Sequence, residues 1–324
     1  MDVRRLAFSG RVVRSTIAMA DSMWGSYPWS TSADAYLTLY RNPGRESWFR
    51  RRHPQRADKI LIPLQQADFT HEYWMAPAPV EKRDIDVLCV SRLHEQKNLP
   101  MLAEALKVYR RKHPGSRIRM TLVVGKPFDE RCRGLEESEI AVLREIEAVV
   151  GRLEDYCEFI PYVGDYSELA RLYSRAKLAV LGSLIEGKNR SLHEAMCCNT
   201  PVVCFDDYNR PIRGGLSPFP DQAGLSAAFD AESLADTLHE VIRNHADFKS
   251  RAEYLRSSGR RRAFNVCVDA FPYFESALPN HARGAHDGNV WLDLAVQHNY
   301  GCGLRDFIYG SCSPISSAQG VTAV

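Results

Sequence analysis

The 324-residue chain has no Cys-x-x-Cys pair, no long apolar run, no internal repeat and no strong excess of either charge. Nine cysteines, at 89, 132, 157, 197, 198, 204, 267, 302 and 312, are odd in number and scattered in spacing, which suggests neither a zinc site nor a disulfide framework. Several lie in apolar segments, where a free thiol packs as a small hydrophobe, consistent with a reducing cytoplasm. No run approaches the roughly 18 apolar residues that cross a bilayer. The first twenty residues carry arginine and almost no acid, yet Arg11 and Arg14 break any secretory core, and no targeting segment is assigned. A formal net charge of +2 argues against a dedicated nucleic-acid binder. At 45% hydrophobic and 25% charged, the chain can bury a substantial core.

Two basic clusters stand out against that neutral background: Arg50-Arg51-Arg52-His53 with Arg45 and Arg56, and Arg260-Arg261-Arg262 with Arg256. Each reads first as a solvated helix face and second as a place for peripheral contact with anionic lipid headgroups.

The chemistry concentrates between residues 85 and 206. Ile85-Asp86-Val87-Leu88-Cys89-Val90-Ser91 reads as a buried strand, followed by a loop that carries Arg92 and Lys97. Alone, those cations are solvated; at the carboxyl end of such a strand they can stabilise a diphosphate. Met120-Thr121-Leu122-Val123-Val124-Gly125 ends in a glycine that admits a close ligand. Leu178-Ala179-Val180-Leu181 is a third strand, and Leu192, Ala195 and Met196 give the segment after it one apolar helical face.

Between strand and helix lies Glu186-Gly187-Lys188-Asn189-Arg190-Ser191, with Glu194 eight residues beyond Glu186. Read as isolated residues, Glu186 caps a helix and Glu194 is a solvated helical acid. Read together, Glu194 sits within the helix while Glu186 stays on the loop above its amino end. Backbone N-H groups from Gly187 to Ser191 would face an anion, with Asn189 as the cap. Lys188 and Arg190 either add charge near a phosphate or point to solvent.

These elements resemble the retaining, family-4 (group 1) type of glycosyltransferase. That family's pattern runs from Ser183 through Glu186-Gly187 and Glu194-Ala195-Met196 to Pro201-Val202-Val203, preceded by a strand and an Arg-Leu-x3-Lys loop matched by Arg92 to Lys97. The resemblance implies that Glu186 contacts the donor sugar, Glu194 holds the ribose hydroxyls and Arg92 with Lys97 clamps the diphosphate. It places the base beside Phe159 to Glu168, where Tyr162 is a donor-binding candidate that stacks on the base, set against the commoner role of a partly buried packing tyrosine. Lys188-Asn189-Arg190 departs from the family's residues and leaves the donor sugar open, whereas Ser91 and Asn98 replace the family's glycines with residues small enough to be tolerated.

The expected fold is α/β: a GT-B-like, doubly wound parallel, Rossmann-like donor domain over 86–277. A shortened amino-terminal acceptor-side segment and linker precede it (1–85), and a helical tail with a frayed end follows (278–324). Helices are expected from Asn98, with Leu99, Leu102, Leu106 and Tyr109 inward, from Asp165 with Leu169, Leu172 and Tyr173 inward, and from Asp230 to Asn244. Lys59 to Pro63 reads as a strand of the first segment.

The activity implied is transfer of a sugar from a nucleotide donor to a hydroxyl of a glycan or lipid-linked acceptor, with retention, in a cytoplasmic and membrane-peripheral setting. No cofactor is expected. No Asp-x-Asp pair lies near the site, and its cations can stabilise the departing diphosphate without a metal. Two other readings remain: a nucleotide-sugar-binding subunit that needs a partner, and a sugar-nucleotide epimerase.

Overall fold

The computed structural model describes residues 2–8, 11–19, 35–37 and 60–62, a few positions between 47 and 54, and 64–259 apart from 65, 71, 73, 130–131, 185–188 and 207–221, with 262, 263 and 266. The chain divides into two compact units, one running Gln66–Gly259 and one formed by the chain before and after it. The expected helical tail lies outside the described residues.

In the second of these units, β1 (Asp2–Phe8) and β2 (Arg11–Met19) pair antiparallel, with Phe8 opposite Arg11 at the turn. β3 (Ala35–Leu37) and β4 (Ile60–Ile62) add parallel strands in the order β1-β2-β3-β4. The strand read at Lys59 to Pro63 is therefore present as β4. The basic opening residues form a hairpin that the sequence reading left unassigned.

The larger unit is built on six parallel strands. β5 (Ile85–Val90), β6 (Met120–Val123), β7 (Cys157–Ile160), β8 (Ala176–Leu181), β9 (Val202–Phe205) and β10 (Gly224–Ala227) lie in the order β10-β9-β8-β5-β6-β7. β10 is one strand more than the sequence reading placed. Alternate residues face opposite ways, as the pleat dictates: Leu178, Val180, Val203 and Phe205 join one core cluster, and Ala179, Leu181, Val202 and Cys204 the other. Both faces are therefore covered, which is why these strands read as unbroken apolar runs.

Helices α1 (Leu99–Lys112), α2 (Glu137–Val150), α3 (Leu153–Tyr156), α4 (Tyr166–Arg175), α5 (Arg190–Cys197), α6 (Ala231–Asn244) and α7 (Ser250–Ser257) supply the cover. α1 buries Leu99, Leu102, Leu106 and Tyr109, and α6 buries Leu234, Leu238 and Val241, both into the first cluster. Tyr173 of α4, Leu192, Ala195 and Met196 of α5, and Tyr254 of α7 fill the second. Asp165 caps α4 by accepting from Ser167 N at 2.6 Å, and Asp230 caps α6 by accepting from Ser233 N at 2.7 Å. Burial pushes the Cys89 thiol up to about 12 and Cys157 to about 11, so both stay neutral and pack as apolar groups.

At the amino ends of the strands, the Arg83 guanidinium donates to Ala176 O, to Asn199 O at 2.8 Å and to Thr200 Oγ1 at 3.3 Å. The carboxyl ends carry the loops that matter for binding. Chain order reverses between β5 and β8, so the loops after these two strands leave in opposite directions and open a crevice between them.

Candidate functional site

A cavity of about 400 Å³ occupies that crevice. Its walls include Arg92 and Lys97 from the loop after β5, Gly125 from the loop after β6, Tyr162 to Tyr166 from the loop after β7, and Asn189, Arg190, Ser191 and Glu194 from the start of α5. The structure thus brings together eight of the residues singled out from sequence. Glu186, Gly187 and Lys188 lie outside the described residues.

Each wall has a local cause. Ser91 N donates to Val123 O at 3.0 Å and Val124 N to Ile160 O at 2.9 Å, so sheet pairing continues past the strand ends and anchors the loops. His94 Nδ1 accepts from Gln96 N at 3.1 Å and caps a single 3-10 turn, Glu95–Lys97. Asn98 follows in the left-handed region at φ 50, ψ 42, which an asparagine tolerates better than most residues, and α1 starts directly after it. Pro100 in the first turn of α1 has no N-H to leave unpaired. Leu184 N donates to Gln96 O at 2.8 Å and ties the loop after β8 to the loop after β5. Glycine is needed at 182 for this approach, because a Cβ there would meet Leu102 at 2.9 Å and Asn98 O at 3.1 Å. A Cβ on Gly125 would lie 3.4 Å from Arg92 Cγ, an ordinary contact, so the arginine stem runs directly beside this glycine.

Helix α5 presents its amino end to the cavity. Asn189 Oδ1 accepts from Leu192 N at 3.1 Å and from the Ser191 hydroxyl at 2.6 Å, as the expected cap. The partial positive charge of the helix amino end adds to that of Arg92, Lys97 and Arg190, which makes this wall favourable for an anion.

Glu194 lies on the second turn of α5. Far from being a solvated helical acid, it is only 4% exposed. Its Oε1 lies 3.2 Å from Arg190 Nε, and its Oε2 accepts a hydrogen bond from the Tyr173 hydroxyl at 3.3 Å. Burial pushes the carboxyl up to about 7, against the pull of Arg190 and the tyrosine hydrogen bond. Tyr173 is wholly buried, and its hydroxyl is pushed well above the ordinary tyrosine range by that burial and by Glu194, so it remains a donor.

Tyr162 does not take the commoner role of a packing tyrosine: its side chain is 58% exposed on the cavity wall. A residue that sequence reasoning placed only in the core, Tyr173, contributes its hydroxyl to the site. The available signal was a polar-tipped aromatic on the inner face of α4.

A parallel sheet covered by helices on both faces, with an anion-favouring crevice at its switch point, is a Rossmann-like domain of the kind found in GT-B glycosyltransferase structures. Residues 84–244 match the family model described as glycosyl transferases, group 1. Among solved structures, the chain is similar to sucrose-phosphate synthase from Thermosynechococcus elongatus, with 21% identity, TM-score 0.53, and coverage of 76% of this chain and 60% of that one. It is similar to a TarM variant from S. aureus solved with fondaparinux, alpha-GlcNAc-glycerol and UDP, at 18% identity and TM-score 0.52, covering 75% and 45%. A UDP-forming trehalose-phosphate synthase from Burkholderia xenovorans gives 16% identity and TM-score 0.50, covering 77% and 62%. The chain thus spans between 45% and 62% of the length of these proteins, and the likeness is one of fold. No curated protein matches the chain in sequence. Among the described residues, no helix is long and apolar enough to cross a membrane.

Proposed function

We infer that the protein transfers a sugar from a nucleotide donor to a hydroxyl acceptor. The observation that carries this reading is that Arg92, Lys97, the amino end of α5 and Glu194 line one and the same cavity. In this reading the diphosphate lies against Arg92 and Lys97 and in front of α5. As the bond from sugar to diphosphate breaks, negative charge builds on the leaving phosphate and the fixed cations stabilise it, with no metal required. Glu194 accepts from the ribose hydroxyls, and Tyr162 offers its exposed face to the base. Glu186, just ahead of α5, contacts the donor sugar and stabilises positive charge developing there.

By resemblance to the family-4 pattern, the transfer is of hexosyl type and retains anomeric configuration. The acceptor is a glycan or a lipid-linked sugar, and the protein works in the cytoplasm with peripheral membrane contact. UDP sugars are the first donors to try, since the S. aureus TarM structure contains UDP.

The test is incubation of the whole chain with UDP, GDP and ADP sugars, followed by calorimetry and product detection. Release of nucleotide with a new glycosidic product is expected, and chelator should leave the rate unchanged. Glu186→Gln should lower transfer by orders of magnitude while nucleotide binding persists. Nucleotide binding without turnover would favour the partner-dependent subunit, and nucleotide release with an altered free sugar would favour an epimerase.

A further inference from the structure

Tyr173 is buried at 0% exposure in the same core cluster as Leu88, Leu181 and Ala195, yet its hydroxyl is turned to the one carboxylate of α5 that lines the cavity. Its backbone is fixed as well, since Thr200 Oγ1 donates to Tyr173 O at 2.6 Å. A tyrosine hydroxyl placed in a core needs a partner, and a rigid ring that finds it in Glu194 restrains the acid as much as it satisfies itself. Arg190 reaches the other oxygen from the exposed side. An ionised carboxylate accepts about four hydrogen bonds. These two contacts orient it without using up its capacity.

We propose that Tyr173 is a positioning residue for nucleotide binding: its hydroxyl, donated to Glu194 Oε2, holds that carboxylate with its remaining acceptor capacity available to the cavity. The role rests on the reading of the cavity as a nucleotide-sugar site and adds a residue from the packed interior of α4. Tyr173 touches no substrate in this account and acts through Glu194. Removing the hydroxyl while keeping the ring frees the carboxylate to rotate or to take up a proton. The titratable or charged groups set around this pair are Arg190 on the same helix, the Cys198 thiol at its end, Cys89 of β5 beside the tyrosine, and Arg92 and Lys97 on the cavity wall.

The test uses the whole chain and calorimetric titration with two probes, UDP and inorganic pyrophosphate. Tyr173→Phe is expected to weaken UDP about tenfold and to leave pyrophosphate binding unchanged. It should also move the pH at which UDP affinity falls to a higher value. In the Glu194→Gln background, Tyr173→Phe should cost nothing further, because the group it acts through is gone. Unchanged UDP affinity and pH midpoint in Tyr173→Phe would overturn the role. So would equal losses for both probes, or additive losses in the double variant, since these indicate a general structural effect. If Tyr173→Phe does not fold, Glu194→Gln alone decides: a loss of UDP affinity with pyrophosphate retained supports the arrangement, and equal losses reject it. Failure of the wild type to bind either probe removes the nucleotide site itself and this role with it.

Discussion

At the residue scale, Glu194 carries two opposed demands. Its carboxyl holds a proton up to about pH 7 in the fold, compared with an ordinary 4.5. The folded state therefore binds the extra proton between those values, and stability falls as pH rises through that window. Above it, the cost of the buried charge is on the order of 3 kcal/mol, at roughly 1.4 kcal/mol per unit. Glu194→Gln should raise the melting temperature by several degrees at pH 8 and much less at pH 5. Thermal denaturation at the two pH values checks this, and an equal shift at both would rule out the titration as its source. If Glu194 binds the ribose as proposed, its hydroxyls donate to the ionised form, so UDP affinity should fall as pH drops below about 7, by up to tenfold per unit. The sign follows because the proton and the ribose compete for the same oxygens.

Arg92 and Lys97 make a second residue-scale prediction. Charge-assisted hydrogen bonds to phosphate are worth about 1.5–3 kcal/mol each. Arg92→Ala and Lys97→Ala should then weaken UDP by roughly ten- to a hundredfold while uridine binding, measured by the same calorimetry, barely changes. Equal losses for both ligands would place the two side chains away from the diphosphate.

At the scale of elements, the loop after β5 depends on Asn98. Its φ of 50 favours glycine or asparagine, and its Nδ2 is buried without a hydrogen-bond partner among the described residues. Both features predict that Asn98→Gly is neutral or stabilising, because it relieves the left-handed backbone and removes an unpaired donor that costs about 1–3 kcal/mol. Asn98→Val should destabilise by at least 1–2 kcal/mol, as a β-branched residue resists that region. Chemical denaturation midpoints of the two variants should separate in that order. The elements that were legible in the sequence share one cause. β5, β6 and β8 are covered on both faces, so their composition is apolar throughout; α1, α4 and α6 each show an inward stripe, and α4 and α6 also show a capping aspartate. β10 was missed because Gly224-Leu225-Ser226-Ala227 holds a single large apolar residue. The β1–β2 hairpin was missed because Arg4, Arg5, Arg11 and Arg14 break the apolar period. The residues that line the cavity were legible where a motif joined strand, loop and helix. For Tyr162 the residue type leaves both stacking and packing open, because it does not reveal which face of a loop meets solvent.

At the scale of the whole molecule, every described residue of the cavity wall falls between Val90 and Glu194, inside the unit Gln66–Gly259. That unit has its own two core clusters and a six-stranded sheet, which are the requirements for independent folding. A fragment of residues 66–259 should therefore unfold cooperatively and bind UDP within a few-fold of the affinity of the whole chain. It should not transfer sugar if acceptor recognition belongs to the other unit, as the GT-B resemblance implies. Calorimetry on the fragment and a transfer assay on both forms separate donor from acceptor function. Loss of UDP binding in a folded fragment would mean that residues outside 66–259 complete the nucleotide site. Full transfer by the fragment would place the acceptor within the same unit and remove the division of labour between the two.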